Sequence, residues 1–454
     1  MTQARVHLVS LGCAKNTVDS QSMLQLLGAA GYDSVPEADQ ADVLVVNTCG
    51  FIAPARDESI AVLRELAAQK RPGQLLIAAG CLSQRYGADV VRDVPGVDGL
   101  LGTRNWREIV SLVTALRAGG TPGPRYQLPE SATVGRDDAG VLRAAVQGAS
   151  AYVKIADGCR RPCAFCAIPL IKGTAVSRPP DAVVAEAQRL QAMGVRELIL
   201  IAQDTTDYGH DLGLRDGLAG LLERLVVEVP QVDWIRILYA YPGAVTPRLM
   251  EVMAAHRQIL PYLDMPLQHA DPAVLRRMRR PANMAWVTST LARMRAAMPD
   301  LALRTTFIVG YPGETEVEFR TLLDFVEATR FDRVGVFTFS FEPGTASEPL
   351  GDPLPADVKE ERRDRLMRLQ QRISLERNQA FVGRTLPVLI EGHGEGLSLG
   401  RSYRDAPEID GLVMVEGEVP EGEIVPVRIT GALVYDLAGR VEREEPAVIL
   451  QPSR

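Results

Sequence analysis

The sequence predicts an α/β protein in three parts: an open parallel α/β domain, a partial barrel of six strand–helix units, and a small carboxyl-terminal β-barrel. Strand-like and helix-like stretches alternate over residues 4–118 and again over residues 145–380, and such alternation is typical of parallel sheets. Over residues 381–446 short β runs lie between Gly- and Pro-containing turns, as in small barrels. Residues 119–144, which contain GGTPGP and show no clear periodicity, are predicted to be a linker.

The composition is typical of a globular protein that works inside the cell. Hydrophobic residues make up 46% of the chain and charged residues 24%. No apolar run reaches the roughly 18–20 residues that a membrane helix needs. The start, MTQARVHLVSLGC, lacks the basic region and cleavage site of a secretory signal. We therefore expect a cytoplasmic protein with no membrane association, whose six cysteines stay reduced and bind metal.

In the first domain, three predicted strands are each followed closely by a cysteine. The predicted strands are Arg5–Val9, Val43–Val46 and Leu75–Ala78, and the predicted helices are Thr17–Gly31, Pro54–Ala68 and Trp106–Ala118. Cys13, Cys49 and Cys81 come just past the strands, where open α/β sheets place their ligand sites. A single such cysteine is more often a small buried apolar residue. Three of them after comparable strands favour a shared metal site.

The central part contains six predicted strands. They are Ala151–Ile155, Glu197–Ala202, Trp234–Tyr239, Tyr262–Met265, Leu301–Val309 and Arg333–Ser340. In a barrel of this type the active-site residues lie at the carboxyl ends of the strands. The residues just past these ends that we interpret as cofactor-binding are Gln203, Asp204, Gln268 and Gly310. Each one alone could be an ordinary loop residue, so the prediction rests on their convergence at one rim.

The loop after the first of these strands contains three thiols in GCRRPCAFC, namely Cys159, Cys163 and Cys166. Thiolates at this spacing suit an iron–sulfur cubane or zinc. No fourth Cys or nearby His completes the closed shell of a structural zinc site. A four-iron cluster with three protein ligands leaves one iron open, and S-adenosylmethionine can chelate that iron through its amino and carboxylate groups. One electron could then cleave the sulfonium to a radical, while the protein orients the cofactor.

Two residues near these thiols have two interpretations each. Phe165, between the second and third thiols, could pack on the adenine or shield the cluster. Gly310 could allow close approach of the backbone to the cofactor or simply end a strand. We expect both residues to lie beside the cofactor.

The carboxyl-terminal part is acidic. Its predicted strands are Val388–Ile390, Leu412–Val415, Ile424–Ile429 and Leu433–Tyr435. Between Phe381 and Glu445 there are 13 acidic and 6 basic residues, so the excess of 7 negative charges equals the net charge of −7 of the whole chain. Small β-barrels that bind RNA usually have a basic face with aromatic residues. This part should instead attract a cationic partner.

Several motifs together resemble one enzyme family. GCRRPCAFC with the following Ala-Ile-Pro looks like the radical S-adenosylmethionine signature. With three cysteines in the first domain and a TRAM-like β module at the end, the chain resembles the methylthiotransferases, and within them the branch that modifies an aspartate of a ribosomal protein. The resemblance to that branch is seen in SLGCAKNTVDS, IAQDTTDYGHDL, DMPLQHADPAVLRRMRRP, FIVGYPGETEVEF, FDRVGVFTFSFEPGTA and RSYRDAPEIDG. It covers nearly the whole chain.

The resemblance implies two [4Fe-4S] clusters and S-adenosylmethionine as cofactors. The cysteines of the CxxxCxxC loop would hold the radical-generating cluster, and Cys13, Cys49 and Cys81 would hold a second cluster that carries the sulfur or methylthio group. One S-adenosylmethionine would methylate that sulfur. Another would supply the radical that removes hydrogen from the β-carbon of an aspartate on protein twelve of the small ribosomal subunit, free or assembled. The electron would come from a donor such as flavodoxin or ferredoxin.

Two other functions compete with this interpretation. A tRNA adenosine methylthiotransferase would use the same clusters, but it should have basic phosphate contacts, which the acidic β module and DAPEIDG do not provide. No direct tRNA substrate is therefore expected. A non-enzymatic iron–sulfur carrier would need the thiols but not a rim of polar groups able to bind a nucleoside.

Overall fold

The computed structural model describes residues 4–119, 123–128 and 140–442. Most of the predicted linker, and residues 443–446 of the predicted third part, lie outside these ranges. Within them, no helix is long and apolar enough to cross a membrane.

The first domain contains a six-stranded sheet of parallel strands in the order β2-β1-β3-β4-β5-β6. Its strands are β1 (Arg5–Ser10), β2 (Asp33–Ser34), β3 (Val43–Thr48), β4 (Leu75–Gly80), β5 (Gly99–Gly102) and β6 (Arg125–Gln127). Its helices are α1 (Ala14–Ala29), α2 (Ala53–Gln69), α3 (Cys81–Tyr86), α4 (Ala88–Asp93) and α5 (Ile109–Arg117). The predicted open parallel α/β arrangement is confirmed. Helix α1 begins three residues before the predicted Thr17, so that Cys13 directly precedes its first turn.

The central sheet has seven strands in the order β15-β14-β13-β12-β11-β8-β7. Its strands are β7 (Ala144–Gln147), β8 (Ser150–Lys154), β11 (Glu197–Ile201), β12 (Trp234–Ile237), β13 (Ile259–Asp264), β14 (Ala302–Val309) and β15 (Arg333–Thr338), while β9 (Ala156–Asp157) and β10 (Val176–Ser177) form a separate two-stranded ribbon. The helices are α6 (Ile168–Lys172), α7 (Pro180–Ala192), α8 (Gly217–Glu228), α9 (Pro247–Ala255), α10 (Pro272–Arg277), α11 (Met284–Ala297), α12 (Glu316–Thr329) and α13 (Ala356–Gln379). Strand β7 pairs antiparallel with β8, and the other strands pair in parallel, as a partial six-unit barrel requires.

Both faces of the central sheet are buried. On β11, Leu198 and Leu200 pack into the cluster formed with the surrounding helices. Ile199 and Ile201 point to the inner face, where they join a different cluster that includes residues of the carboxyl-terminal module. Since fully burying such a side chain contributes about 1.5–3 kcal/mol, the two layers together fix the sheet between helices outside and the module inside.

The carboxyl-terminal module is a closed five-stranded barrel in the order β16-β17-β18-β20-β19. Its strands are β16 (Thr385–Gly394), β17 (Leu397–Ser402), β18 (Val413–Glu416), β19 (Ile424–Ala432) and β20 (Leu437–Val441). The predicted strand Leu433–Tyr435 is wrong. These residues form the turn between β19 and β20, in which the Leu433 backbone N–H donates to the Asp436 carbonyl.

Residues 401–410, here called the floor segment, begin with the last two residues of β17 and lie against the inner face of the central sheet. The buried carboxylate of Glu197, at the start of β11, accepts hydrogen bonds from Arg236 at 2.7 Å and from Arg401 of the floor segment at 2.6 Å. Arg333 of β15 donates to Asp405 at 2.6 Å. The floor segment therefore closes the barrel at the amino-terminal ends of its strands. Most of the carboxylates of DAPEIDG make contacts inside the protein and are not part of its acidic surface.

Candidate active site

Three loops at one edge of the first sheet bring Cys13, Cys49 and Cys81 to the wall of one cavity. Each loop follows a strand, and β1, β3 and β4 are adjacent in the sheet. Because parallel strands end at the same edge, three cysteines far apart in the chain become neighbours. The predicted convergence of these thiols is thus present in the fold.

Asn16 holds the three loops together from the first turn of α1. Its side-chain nitrogen donates to the carbonyl oxygens of Leu11, at 2.9 Å, and Thr48, at 3.0 Å. Its side-chain oxygen lies 3.7 Å from the Cys81 sulfur. The chain just before Cys81 is equally tight, since Gly80 has φ +96° and a Cβ there would lie 2.3 Å from the Asn47 side-chain oxygen. Asn16 is a positioning residue that the sequence analysis missed.

The other three thiols, of Cys159, Cys163 and Cys166, lie in the loop between β9 and α6. Backbone hydrogen bonds shape this loop: the Cys159 N–H donates to the Gly173 carbonyl, and the Cys166 N–H donates to the Cys163 carbonyl. The Arg161 N–H points at the Cys159 sulfur at 3.4 Å, and Arg280 donates to the Cys163 sulfur at 3.5 Å. Donors directed at sulfur stabilise a thiolate, which is the form that binds iron.

All six cysteines line one cavity of about 340 Å³ between the first domain and the carboxyl rim of the central sheet. Phe165, Gln203, Asp204 and Gln268 line the same cavity, as the rim argument predicts. Gly310 is not among the lining residues. The position of a Cβ there would be 2.2 Å from Cγ of Lys359, so the close approach that requires this glycine is to helix α13.

The amides at the rim have unused hydrogen-bonding capacity. Gln203 donates to Asp157 at 3.0 Å, but its side-chain oxygen is buried without a partner. The side-chain oxygen of Gln268 is likewise buried and unpaired, and its backbone has a φ of 74°. A buried acceptor without a donor costs about 1–3 kcal/mol, and a strained backbone adds to that cost. Both oxygens are suited to accept hydrogen bonds from the amino or hydroxyl groups of a cofactor.

Two arginines on the side of the cavity that the CxxxCxxC loop forms were also missed from the sequence. Arg161 and Arg280 both stack on Tyr241, with their guanidinium carbons 4.2 and 4.3 Å from the ring centre. Arg161 also donates to Asp204 at 2.6 Å, and Arg280 bonds the carbonyl of Pro266. The carboxylate of Asp204 therefore holds the side chain of Arg161 and, through it, helps to position the CxxxCxxC loop.

Lys15 stands on the opposite side, next to Cys13. Its ammonium nitrogen lies 3.0 Å from the centre of the Tyr239 ring. Burial lowers the pKa of Lys15 to about 8. Tyr239 has a φ of 65°, an uncommon conformation for an aromatic residue, so the backbone here is held under strain.

A buried charge cluster connects the two sets of thiols. It consists of Asp19 on α1, Arg143, Lys154 on β8, Asp157 and Lys172. Asp19 accepts from Lys154 at 2.7 Å and from Arg143 at 2.6 Å. Burial alone would raise the pKa of Asp19, but the surrounding positive charges outweigh it and hold the pKa below its ordinary value. Since α1 begins beside Cys13 and Asp157 precedes the CxxxCxxC loop, this charge cluster fixes one set of thiols against the other.

The thiols suit iron–sulfur clusters better than a single metal ion. Burial raises the pKa of Cys81 and of Cys166 to about 12 and that of Cys159 to about 11, so these groups need a metal to become thiolates. Among the described residues, no three Cys, His, Asp or Glu side chains are placed to hold one metal ion. In a cubane each thiolate binds a different iron, so the thiols need not converge on one point. The donor set and the unpaired amide oxygens fit a cluster with a chelating cofactor.

Comparison with protein families divides the chain as the fold does. Residues 5–102 match the family described as uncharacterized protein family UPF0004, residues 153–326 match the radical SAM superfamily, and residues 382–441 match the TRAM domain. Among solved structures, the radical S-adenosylmethionine methyltransferase TsrM from Kitasatospora setae has a TM-score of 0.57 at 15% identity, covering 88% of this chain and 81% of that one. This likeness concerns the fold.

Curated relatives match over nearly the full length. The ribosomal protein uS12 methylthiotransferase RimO of Chloroflexus aurantiacus is 52% identical, over 96% of this chain and 99% of the relative. RimO of Roseiflexus sp. is 49% identical, over 98% of both chains. RimO of Anaeromyxobacter sp. strain K is 45% identical, over 99% of this chain and 95% of the relative. With this identity over nearly its whole length, the chain belongs to the RimO family, the ribosomal protein uS12 methylthiotransferases of the radical SAM type.

Proposed function

We propose that the cavity between the two sets of thiols inserts a methylthio group at the β-carbon of an aspartate on ribosomal protein uS12. The observation that carries this proposal is the presence of all six cysteines on the wall of one cavity. A radical generated on one side can then act on a substrate that receives sulfur from the other side. An iron–sulfur carrier needs neither the shared cavity nor the unpaired amides at its rim.

We assign one [4Fe-4S] cluster to Cys159, Cys163 and Cys166 of the loop between β9 and α6, here called the radical loop, and a second to Cys13, Cys49 and Cys81. When bound, the clusters and S-adenosylmethionine supply the radical, the methyl group and the sulfur; a flavodoxin- or ferredoxin-type donor supplies the electron. A radical is needed because an unactivated C–H bond has no acid–base route at neutral pH.

The protein's own contribution is to bind, orient and protect. Gln203 and Gln268 offer their side-chain oxygens to the cofactor, and Phe165 forms an apolar part of the wall beside the radical loop. Arg161 and Arg280 hold positive charge next to the same thiols. Phe165 also packs with Tyr311 and Phe339, which keeps water from that side of the loop.

The negative charge on the exposed surface of the carboxyl-terminal module favours the binding of a basic protein. Two of its arginines, Arg401 and Arg404, are buried in contacts with the central sheet and helix α13. The turn between β16 and β17 lies against the connection between β18 and β19, where His393 contacts Glu421. Together they form an acidic edge of exposed residues: Glu395, Glu416, Glu418, Glu421 and Glu423. Ribosomal proteins need lysine and arginine to bind RNA phosphates, so this edge complements uS12 and would repel tRNA.

The central experiment is an anaerobic assay with reconstituted clusters, S-adenosylmethionine and a reductant. Offered uS12, the free protein or the small subunit, the enzyme should form 5′-deoxyadenosine and add a methylthio mass to an aspartyl peptide. Modification of tRNA alone would contradict the proposal. Absence of 5′-deoxyadenosine from a fully loaded protein would favour the carrier.

The acidic edge has its own test. Replacing Glu416, Glu418, Glu421 and Glu423 with glutamine should raise the KM for uS12 about tenfold at low salt and flatten its salt dependence, with kcat unchanged. A control replaces two glutamates near the start of helix α13, half-buried Glu360 and exposed Glu361, which lie away from the module. Equal effects of both variants, or no effect of the first, would exclude the edge as the docking surface.

A further inference from the structure

Residues 340–347, here called the bridge segment, follow β15 and contact both sides of the cavity. At one end of the segment, the Ser347 N–H donates to the carbonyl of Ala164, within the radical loop, at 2.8 Å. Towards the other end, the carboxylate of Glu342 bonds to the first domain. The bridge segment is therefore a direct connection between the radical loop and the domain that contains the other three thiols.

A tight turn gives the bridge segment a fixed shape. Residues 342–345 have the sequence EPGT, and Gly344 has a φ of +79°, which is the pattern of a type II turn with proline before glycine. The Thr345 hydroxyl donates back to the Glu342 carbonyl at 2.8 Å. Thr345 and Ser347 are both buried. The two ends of the segment therefore keep a constant separation.

The Glu342 carboxylate bonds two helices of the first domain. Its side chain is only 3% exposed. One oxygen accepts from the backbone N–H of Ala53, the first residue of α2, at 2.8 Å. The other oxygen accepts from the guanidinium of Arg85, on α3, at 2.6 Å. Because separating a buried pair would leave an uncompensated charge, this contact is far stronger than an exchangeable surface ion pair.

Arg85 extends this contact to two of the cysteines. Cys81 is the first residue of α3 and lies one helical turn before Arg85. The same guanidinium donates to the carbonyls of Gly50 and Phe51, at 3.0 and 3.3 Å, directly after Cys49. The carboxylate of the bridge segment therefore holds both the loop that follows β3 and the helix that follows β4.

We propose that Glu342 is a positioning residue that sets the separation between the two iron–sulfur sites, an inference that rests on the proposed function. Cys13 is held independently, by Asn16 and by the charge cluster around Asp19. The bridge segment governs the other two cysteines of the first domain. Since a misplacement of about 1 Å can cost on the order of a hundredfold in rate, loosening Glu342 should preserve radical formation and impair sulfur insertion.

The test compares Glu342→Gln with Gln21→Ala. Gln21 exchanges two hydrogen bonds, of 3.0 and 3.2 Å, with the Val146 backbone elsewhere on the interface between the first domain and the central sheet. In the anaerobic assay, Glu342→Gln should form 5′-deoxyadenosine within about twofold of wild type but about tenfold less methylthio product per 5′-deoxyadenosine. Gln21→Ala should keep the wild-type ratio.

Two further measurements do not depend on product. In the full-chain protein, before and after reconstitution, amide hydrogen exchange over residues 50–56 should be faster in Glu342→Gln and unchanged over residues 159–166. In the loaded and reduced protein, the magnetic interaction between the two clusters, measured by electron paramagnetic resonance, should change at constant iron content. Gln21→Ala should alter neither measurement.

Three results of the assay would overturn the inference: a wild-type ratio in Glu342→Gln, an equal loss of 5′-deoxyadenosine and product, or the same loss of ratio in Gln21→Ala. If Glu342→Gln fails to load iron, Arg85→Lys, which keeps the charge but not the planar fork of donors, must load it and lower the ratio. Unchanged exchange over residues 50–56 in either variant also overturns the inference. Absence of methylthio product from the wild type would reject the proposed function, while exchange and resonance would still decide the role of Glu342.

Discussion

The two sets of thiols reach the same cavity by different routes. Cys159, Cys163 and Cys166 lie in one loop, so their mutual positions follow from a few local backbone hydrogen bonds. The other three cysteines come from three loops and meet only because β1, β3 and β4 are adjacent in a sheet. The first set depends on local structure and the second on the folding of a whole domain. We therefore expect partial unfolding to separate Cys13, Cys49 and Cys81 from one another before it disturbs the three cysteines of the single loop.

The largest effect should come from removing one ligand of each set. Cys163→Ala should abolish both 5′-deoxyadenosine formation and methylthiolation, to below a thousandth of wild type, because the radical is no longer generated. Cys13→Ala should abolish methylthiolation equally but keep S-adenosylmethionine cleavage within about tenfold, because the radical loop is intact. Product analysis by mass spectrometry and iron determination check both variants. Equal loss of both activities in Cys13→Ala would show that the two sets do not work separately.

Asp19→Asn should break the connection between the two sets. Removing one member of a buried ion cluster leaves Lys154 and Arg143 undercompensated, which costs about 3–5 kcal/mol. Urea unfolding of the apoprotein measures this loss, and iron content should fall at both sets. Asp89→Asn, which removes an exposed ion pair with Arg92, is the control and should change stability by less than about 0.5 kcal/mol. A similar stability of both variants would contradict a structural role for the cluster.

Acid should weaken the floor of the barrel without touching either set of thiols. The arginines around Glu197 overcome the effect of burial and lower the pKa of this carboxyl to about 2 from an ordinary 4.5. A depressed pKa contributes stability above pH 4.5 that disappears as the pH falls toward 2, about 3 kcal/mol in total. The unfolding free energies of wild-type apoprotein and Glu197→Gln should therefore differ most at pH 6 and converge near pH 2. A difference that stays constant over this range would refute the assignment.

Asn16→Ala should have the smallest effect and separate the two sets most cleanly. Loss of its two donors leaves the Leu11 and Thr48 carbonyls without that partner, at a cost of about 1–3 kcal/mol. Iron bound by the first domain should decrease, while 5′-deoxyadenosine formation should remain. Asn283→Ala removes the N-cap of α11 far from the cavity, costs about 1 kcal/mol and should leave iron content unchanged. Preserved iron content in Asn16→Ala would show that the loops hold their positions without this residue.

Much of the fold and the thiol site could be predicted because the signals are local. Strands that end just before Cys13, Cys49 and Cys81 are visible as apolar runs, and parallel sheets place such ends together. Strand β17 (Leu397–Ser402) was missed because its sequence, LSLGRS, alternates weakly and contains glycine. The run Leu433–Tyr435 is apolar enough for a strand but lies in a turn.

The residues that the sequence could not reveal depend on contacts between distant parts of the chain. The contact of Lys15 with the Tyr239 ring appears only in the folded chain, and Asn16 is recognised only when Thr48 and Cys81 surround it. The position of both directly after Cys13, in CAKN, was the one available signal. The sequence analysis uses DAPEIDG as an argument against a tRNA substrate, whereas Asp405 and Asp410 are bonded to Arg333 and Tyr262 inside the protein.

The floor segment has a consequence for the order of events during synthesis on the ribosome. Glu197 and Arg401 are separated by 204 positions, and Arg236 and the Tyr403 carbonyl by 167. The base of the barrel therefore stays open, with Glu197 lacking one of its arginines, until residue 401, in the last eighth of the 454-residue chain, has left the exit tunnel. A nascent chain that stops before residue 401 exposes the inner face of its central sheet to solvent and chaperones. Completion of the carboxyl-terminal module is thus the event that seals the barrel.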